Sequence, residues 1–279
     1  MPAVLNTNMA SLYAQKSLST AQADLASSVQ KLSSGKRINS AKDDAAGFAV
    51  SEAVKATKNI TDQSIQNTQD AISLAQTAEG ALDVVSKILQ RVMTLVTEKS
   101  NGSLTGTAST GQIGSVNSEI ATLLSEVSSI SSRTKFQGGT GASSIFSAST
   151  LTFGTGEATT TTLNIGTLTL AGLGITAATE ASVTQTEAGT VTSTSIADAV
   201  QKNIANRAAL GAQQNRLNFV VDNMQTLSNN LADSASRITD TNYAAETANL
   251  TRGQILQQAA TSMLAQANQM PNVILTLLK

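Results

Sequence analysis

The chain has 279 residues, of which 41% are hydrophobic, 13% are charged and 3% are aromatic, and its formal net charge is −1. Charge this sparse and this balanced provides no basic surface for nucleic acid or for an anionic membrane. Because Cys and His are both absent, disulfides, thiol chemistry and the usual catalytic and zinc sites are excluded, and we expect no cofactor and no metal.

Neither a signal peptide nor a membrane span is expected. The first residues show no basic segment followed by an apolar one, which is the pattern of a cleaved signal. No apolar run reaches the length of about 18 residues that is typical of a transmembrane helix, so we expect no membrane insertion. A protein of this kind would have to leave the cell by another route.

Heptad periodicity is the strongest pattern in the sequence. Five stretches place apolar residues on the three- and four-residue steps of a coiled-coil seam. In chain order these residues are Leu18, Leu25, Val29 and Leu32; Ala71, Ala75, Ala78, Leu82, Val85, Leu89, Val92 and Val96; Val116, Ile120, Leu123, Val127 and Ile130; Leu217, Val220, Met224, Leu227 and Leu231; and Leu256, Ala260, Met263, Ala267 and Met270. The pattern predicts long helices with narrow apolar stripes, packed as antiparallel arms.

Glycine-rich breaks divide the predicted helices. Gly35 is expected to end the first, and the segment 100–107 is expected to end a second helix that covers 44–99. The segment 140–195 is rich in Thr and Gly, and it predicts two or three short strands with a bulge or turn near Gly166. The predicted fold is therefore mainly α, with long antiparallel coiled-coil helices from both chain ends and a small β-rich insertion in the middle.

No motif supports catalysis, and we expect the protein not to be an enzyme. The Gly-rich segment 138–144 lacks the Gly-Lys-Ser/Thr ending of a phosphate-binding loop. Asp43 and Asp44 resemble paired carboxylates, but sequence neighbours project in different directions and Lys42 lies beside them. A charged turn or helix start is the favoured interpretation over a catalytic dyad or a metal site.

The two chain ends are almost free of charge but rich in Asn, Gln, Ser, Thr and Ala. Helices of this composition are marginal alone in water, so we expect both ends to be loosely ordered in the monomer. Small side chains allow close helix approach, and amides pair across an interface without the desolvation cost of a charge. We therefore expect the ends to be buried against other copies of the chain. The alternative is a C-terminal helix docked on its own chain.

The sequence resembles the bacterial flagellin family in four stretches, which read LNTNMASLYAQKSL (5–18), KLSSGKRINSAKDDAAGFAVSE (31–52), NTQDAISLAQTAEGAL (67–82) and RGQILQQAATSMLAQANQMP (252–271). The likeness covers roughly 1–139 and 196–279. It implies a structural subunit that polymerises into the bacterial flagellar filament and gives motility. It also implies inner-tube terminal helices (1–40 and 240–279), a helical rod domain (41–139 and 196–239) and a small Thr/Gly-rich variable β domain (140–195).

The resemblance also implies a route and a set of partners. Flagellins leave the cell unfolded by a type III export route, fold beneath a cap at the filament tip and remain outside the cell. Implied partners are copies of the chain itself, an export chaperone on the C-terminal helix, and the filament cap and hook-junction proteins. The residues that would build the filament are Leu5, Met9, Leu12, Leu18, Leu25, Ile255, Leu256, Met263, Leu264, Val273, Leu277 and Leu278.

A second set of residues matches the family's spoke, the connection between inner and outer helical layers. These residues are Gly35, Arg37, Asn39, Asp43, Asp44 and Gly47. By resemblance they would turn the chain and bridge to neighbouring subunits. A purely intramolecular turn is the competing interpretation for each of them.

A third set matches the segment through which many flagellins contact a Toll-like receptor. It comprises Leu89, Gln90, Arg91 and Leu95, with Glu126 at the family's supporting acidic position. Met93 and Thr94 stand where recognised flagellins commonly carry Arg and Glu, and this loss of an ion-pairing couple weighs against receptor activation. Leu89 is also a predicted seam residue, so a structural role competes here.

Two other functions stay open on the sequence alone, one of the same structural class and one of a different class. A hook–filament junction protein has similar terminal helices, but the closeness of both terminal signatures favours the bulk filament subunit. A secreted adhesin could display 140–195 as its working surface.

Overall fold

A computed structural model of the chain describes residues 8–135, 144–147, 150–156, 159–166, 168–175 and 184–277. The long helices are α1 (Met9–Ser34), α2 (Ala45–Lys99), α3 (Gly111–Arg133), α6 (Ser193–Thr239) and α7 (Tyr243–Leu277). The shorter elements are β1 (Gly106–Thr107), a 3₁₀ turn (Ile145–Ser147), β2 (Thr150–Gly156), β3 (Thr159–Asn164), α4 (Leu170–Leu173) and α5 (Gln185–Thr190). The predicted fold class, long helices from both ends with a small β insertion, is confirmed.

The chain divides into two compact units. Unit 1 comprises residues 1–58 and 229–279, and unit 2 comprises residues 59–228. Each unit thus contains a segment from both halves of the chain. Among the described residues, no helix is both long enough and apolar enough to cross a membrane.

Helix ends follow from local chemistry. Asn8 caps α1, because its side chain accepts a hydrogen bond from the Ser11 backbone N–H at 3.2 Å. Gly35 ends α1 in the left-handed conformation at φ 69°, which confirms the predicted stop. The second helix runs from Ala45 to Lys99, in close agreement with the predicted 44–99.

The core of unit 2 is built on the predicted α2 seam. All eight α2 residues from Ala71 to Val96 that were assigned to the seam are at most 2% exposed. In α3, Ile120 and Val127 are buried as expected, and Leu124, which the pattern did not include, joins them. Leu227 of α6 was expected in the seam and is 45% exposed, because Met224 and Ser228 occupy the buried positions of this turn instead.

Within unit 2, α6 lies antiparallel to α2. Asn203 donates from its side-chain amide to the Leu82 carbonyl at 3.1 Å, and the Gln214 amide donates to Glu79 at 3.1 Å. Further along, the Ser228 hydroxyl donates to Asp62 at 2.6 Å. Because residue numbers rise along one helix as they fall along the other, the predicted antiparallel packing is confirmed for this unit.

The insertion is a hairpin whose apolar residues enter the main core. Strands β2 and β3 pair antiparallel, with Leu151 opposite Leu163 and a register shift between Gly154 and Gly156. Gly166 turns the chain after β3 at φ 73°, close to the expected break. Side chains of the inserted segment belong to the same buried cluster as the α2 seam: Ile145, Phe146, Leu163, Ile165, Leu168, Leu170, Leu173 and Ile175.

Candidate functional site: the paired terminal helices

Helices α1 and α7 pack against each other in antiparallel orientation within unit 1. At one end, the Asn8 side-chain amide donates to the Ala267 carbonyl at 2.7 Å, and the Ser11 hydroxyl donates to Asn268 at 3.0 Å. Further along, Gly253 lies against Leu25, where an added Cβ would be 3.5 Å from the leucine Cδ1. The C-terminal helix therefore docks on its own chain through one face, which was the alternative interpretation.

The seam between α1 and α7 consists of small residues. Ala14, Ala21 and Ser28 recur every seven residues on α1, and Gly253, Ala260 and Ala267 do so on α7; all six are buried. A seven-residue repeat keeps the seam facing its partner helix. Since these side chains have almost no length, the two backbones approach closely and bury little apolar area per residue.

Several large apolar side chains of the helix pair are exposed to solvent instead of being buried in this seam. Exposed fractions are 49% for Met9, 60% for Leu12, 60% for Ile255, 51% for Leu256 and 60% for Met263. The predicted seam positions Leu256 and Met263 are thus wrong, while Ala260 and Ala267 are confirmed as buried.

The other predicted assembly residues divide into two groups. Leu18, Leu25 and Leu264 are partly buried beside the seam. Leu5 and Leu278 lie outside the described residues, and so do the side chains of Val273 and Leu277.

Spoke residues at the end of α1 make contacts within unit 1. The Gly35 carbonyl accepts from the Thr241 N–H at 2.9 Å, and the Arg37 N–H donates to the Thr239 carbonyl at 2.6 Å. The Arg37 guanidinium also donates to the Ile238 carbonyl at 2.7 Å. Together these bonds join the segment after α1 to the connection between α6 and α7.

The two adjacent aspartates organise the start of α2. Asp43 accepts hydrogen bonds from the backbone N–H groups of Asn39 and Ser40 at 3.0 and 2.9 Å, and these bonds lower the pKa of its carboxyl. Asp44 accepts from the Gly47 N–H at 2.9 Å, as a helix N-cap does. The predicted charged turn and helix start are confirmed.

The residues matched to the receptor segment are mostly engaged within unit 2. Leu89 and Leu95 are buried in the core at 0% and 2% exposure, whereas Gln90 is exposed. Arg91 donates to Glu119 at 2.8 Å, and Glu126 pairs with Arg133. Receptor contact through these residues stays a prediction.

Sequence reasoning missed two buried polar residues and one cation. Asn117 and Asn203 are fully buried, and each has a side-chain oxygen without a partner among the described residues. The Lys99 ammonium donates to the Gly189 and Val191 carbonyls at 3.1 and 3.3 Å, and burial lowers its pKa. Of these three residues, only Lys99 could have been noticed in the sequence, because it is a basic residue in the last turn of a helix.

No cluster of acidic residues suited to a metal ion occurs in the part of the chain that the structure describes.

Comparison with known proteins gives matches over nearly the whole chain. Residues 5–150 match the family described as the bacterial flagellin N-terminal helical region, and residues 179–278 match the C-terminal helical region. The flagellin of Halalkalibacterium halodurans is 35% identical over 99% of this chain and 100% of its own length. The flagellin of Bacillus subtilis is 34% identical over 99% of each chain. The flagellar filament 33 kDa core protein of Treponema phagedenis is 32% identical over 99% of this chain and 100% of its own.

A crystal structure of Bacillus cereus flagellin is also similar, with 28% identity and a TM-score of 0.43 over 57% of this chain and 88% of that one.

Proposed function

This chain belongs to the bacterial flagellin family, and from that premise we propose how it polymerises. It is a structural subunit of the extracellular flagellar filament. We propose that copies join through the large apolar side chains that α1 and α7 turn outward. The observation that carries this proposal is the division of the helix pair into an inner seam of small residues and an outer surface with Leu12, Leu256 and Met263 more than half exposed.

Burial of the outward Leu and Met side chains would stabilise a polymer more than burial of the small seam residues could. A buried Leu or Met side chain contributes about 1.5–3 kcal/mol, whereas the methyl group of an alanine contributes about 0.8 kcal/mol. The apolar burial that Leu12, Leu256 and Met263 could provide is therefore not fully used in a single chain. It becomes available when neighbouring copies cover the outward residues.

Paired substitutions on α7 test the proposal. The double variant Leu256→Ser/Met263→Ser is expected to fold like the wild-type monomer but not to polymerise. Sedimentation and negative-stain electron microscopy measure the polymerisation. The matched control is Gln258→Ser/Gln266→Ser, which changes two exposed polar residues of the same helix and should polymerise normally. Filaments of normal length from the Leu256→Ser/Met263→Ser variant, with monomer helicity unchanged, would overturn the proposed surface.

For the spoke we propose that intramolecular bonding sets the turn and that its exposed groups then meet a neighbouring subunit. The Asn39 side chain is the best candidate for that contact, because it is exposed and its neighbours Arg37 and Asp43 already bond within unit 1. Asn39→Ala should therefore impair polymerisation without lowering monomer stability. A loss of monomer stability would assign Asn39 to the turn alone.

We further propose that export and assembly use the partners that the family implies. These are an export chaperone on the C-terminal helix before secretion, and the filament cap and hook-junction proteins outside the cell. The exposed apolar residues of α7, such as Ile255 and Leu256, support a chaperone site, since such a surface needs cover before it polymerises. Deletion of 253–279 should abolish chaperone binding in a pull-down with purified partners.

The family is one of structural proteins, and we propose that the chain has no catalytic role. We also propose that the insertion is part of the fold rather than a separate binding module, because Phe146, Leu163 and Leu170 lie in the main core of unit 2. The comparisons do not favour the hook–filament junction protein or the adhesin.

A further inference from the structure

The loop between α2 and α3 contains an asparagine that is followed directly by a glycine. Asn101, Gly102 and Ser103 are all exposed, and every other asparagine of the sequence precedes a residue that has a side chain. The Asn101 side chain bends over the backbone that follows it, because its Oδ1 accepts a hydrogen bond from the Ser103 N–H at 3.2 Å. This Asx turn holds the side-chain carbonyl beside the peptide bond of Gly102.

The backbone nitrogen of Gly102 is free to react. Its N–H donates no hydrogen bond within the part of the chain that the structure describes, whereas the N–H groups of Asn101 and Leu104 donate to the carbonyls of Glu98 and Asn101 at 2.9 and 3.2 Å. No atom lies within 4 Å of the position that a Cβ would take on Gly102. A nitrogen that is neither bonded nor covered can lose its proton to hydroxide and then act as a nucleophile.

Two asparagines elsewhere in the chain lack this combination. Asn39 is also exposed and lies outside the helices, but the N–H of the next residue, Ser40, donates to the Asp43 carboxylate at 2.9 Å. Asn117 is fully buried within α3, and its side-chain amide donates to the Ala108 carbonyl at 2.8 Å. Both side chains are therefore expected to be chemically stable, and they serve as internal controls.

We propose that Asn101 is a site of spontaneous deamidation, in which the Gly102 nitrogen attacks the side-chain carbonyl carbon of Asn101. A bond forms between this nitrogen and Cγ, the bond from Cγ to the side-chain nitrogen breaks, and ammonia leaves with the proton that the Gly102 nitrogen lost. Water then opens the cyclic imide at either carbonyl carbon and gives aspartate or isoaspartate at position 101. The Ser103 N–H assists the first step, because it donates to the oxygen on which negative charge develops.

The reaction changes both the charge and the backbone of this loop. The formal net charge of −1 becomes more negative by one charge. The new carboxylate lies just beyond Lys99, the last residue of α2, where the helix dipole disfavours negative charge. In the isoaspartate product the main chain is one methylene longer, which alters the hydrogen bond from the Leu104 N–H to residue 101. The modification needs no polymer and therefore lies outside the proposed function.

Peptide mapping of the aged protein tests this assignment. The purified full-length chain is incubated in buffers of increasing alkalinity and digested with trypsin. Asn101 and Asn117 then lie on one peptide, 100–133, because no Lys or Arg occurs between Lys99 and Arg133. Mass spectrometry with fragmentation measures deamidation at each position, and protein isoaspartyl methyltransferase detects isoaspartate.

We expect Asn101 to deamidate at least about tenfold faster than Asn39 and Asn117. Its rate should rise about tenfold per pH unit, because the ionised fraction of the weakly acidic Gly102 amide rises in that proportion. Isoaspartate should appear at position 101 together with aspartate, since the cyclic imide opens in both directions.

The matched variant is Gly102→Ala, which the open surroundings of Gly102 accommodate. The added methyl group hinders the nitrogen and restricts the backbone, so deamidation of Asn101 should slow by about tenfold while helicity by circular dichroism is unchanged. Gly80→Ala makes the same change at another open position and should leave the Asn101 rate as it is. Deamidation of Asn101 no faster than that of Asn39, aspartate without isoaspartate, or an unchanged rate in Gly102→Ala would overturn the inference. All these measurements use the monomer, so a negative result leaves the proposed polymerisation untouched.

Discussion

The start of α2 depends on one residue that has no side chain. A Cβ at Gly47 would overlap the Asp44 carboxylate and lie 2.8 Å from the Ile38 Cδ1 atom. Ile38 is 4% exposed, so its side chain has little room to shift, and Asp44 is occupied in capping the helix. The sequence indicated a turn here, but only the structure shows that Gly47 serves close packing and not a special backbone angle.

Gly47→Ala should therefore lower the melting temperature of the monomer, at a cost of about 1–3 kcal/mol for forced overpacking. Gly80→Ala is the control, because it also lies within α2 but has no neighbouring atom within 4 Å of an added Cβ. Alanine there should stabilise by up to about 1 kcal/mol through helix propensity. Equal stability of the two variants would contradict the packing role of Gly47.

Asp43 makes a pH-dependent contribution to the same turn. Bonds from the Ser40 and Asn39 N–H groups hold its folded pKa below the ordinary value of 3.8, so the unfolded chain binds a proton more readily than the folded one. Stability then rises with pH in this range, and the contribution is complete above about pH 5 and lost as the pH falls through the folded pKa. The stability difference between wild type and Asp43→Asn, measured by urea titration, should be constant from pH 7 to 5 and shrink below pH 4. A difference that does not change down to pH 3 would disagree with this assignment.

At the scale of elements, the seam of α2 was predicted completely. All eight assignments hold, the small Ala71, Ala75 and Ala78 as well as the larger Leu and Val residues, because this stripe is enclosed in the core of unit 2. In α7, two interleaved heptad series exist: Gly253, Ala260 and Ala267, and the larger Leu256 and Met263. Periodicity alone does not show which series faces α1 within the chain. Hydrophobicity favours Leu256 and Met263, which are exposed.

The insertion shows a different limit of sequence reasoning. Its Thr- and Gly-rich composition predicted strands and a turn correctly, yet it gave no sign that Phe146 and Leu170 enter the core of unit 2. That burial depends on the hairpin being held between helices, where Asn67 donates to the Gly154 carbonyl at 3.2 Å and Gln213 donates to the Asn164 carbonyl at 2.9 Å. Contacts between residues so distant in sequence leave no local pattern.

Phe146→Ala should consequently destabilise the monomer by about 3–5 kcal/mol, since the ring is 2% exposed. Phe219→Ala provides the control at 74% exposure and should change stability by less than about 0.5 kcal/mol. Chemical denaturation of the two variants measures the difference. A small effect of Phe146→Ala would mean that the insertion does not contribute to the core of unit 2.

For the whole molecule, the central claim is that a single chain is incomplete at its ends. Helices α1 and α7 bury small residues in their seam and expose Leu12, Leu256 and Met263, and we propose that polymerisation covers these side chains. The expectation that these ends are loosely ordered in the monomer stays a prediction. Terminal helices that form in the monomer but open readily would meet this expectation.

Methionine oxidation tests this claim most directly, because the chain carries its own internal control. Met9 and Met263 are 49% and 60% exposed on the outward surface of the helix pair, while Met224 is 6% exposed in unit 2. Monomers and filaments are treated with dilute hydrogen peroxide, and each methionine is followed by mass spectrometry. We expect Met9 and Met263 to oxidise rapidly in the monomer and at least about tenfold more slowly in the filament, with Met224 slow in both. Equally rapid oxidation of Met9 and Met263 in intact filaments would contradict the account.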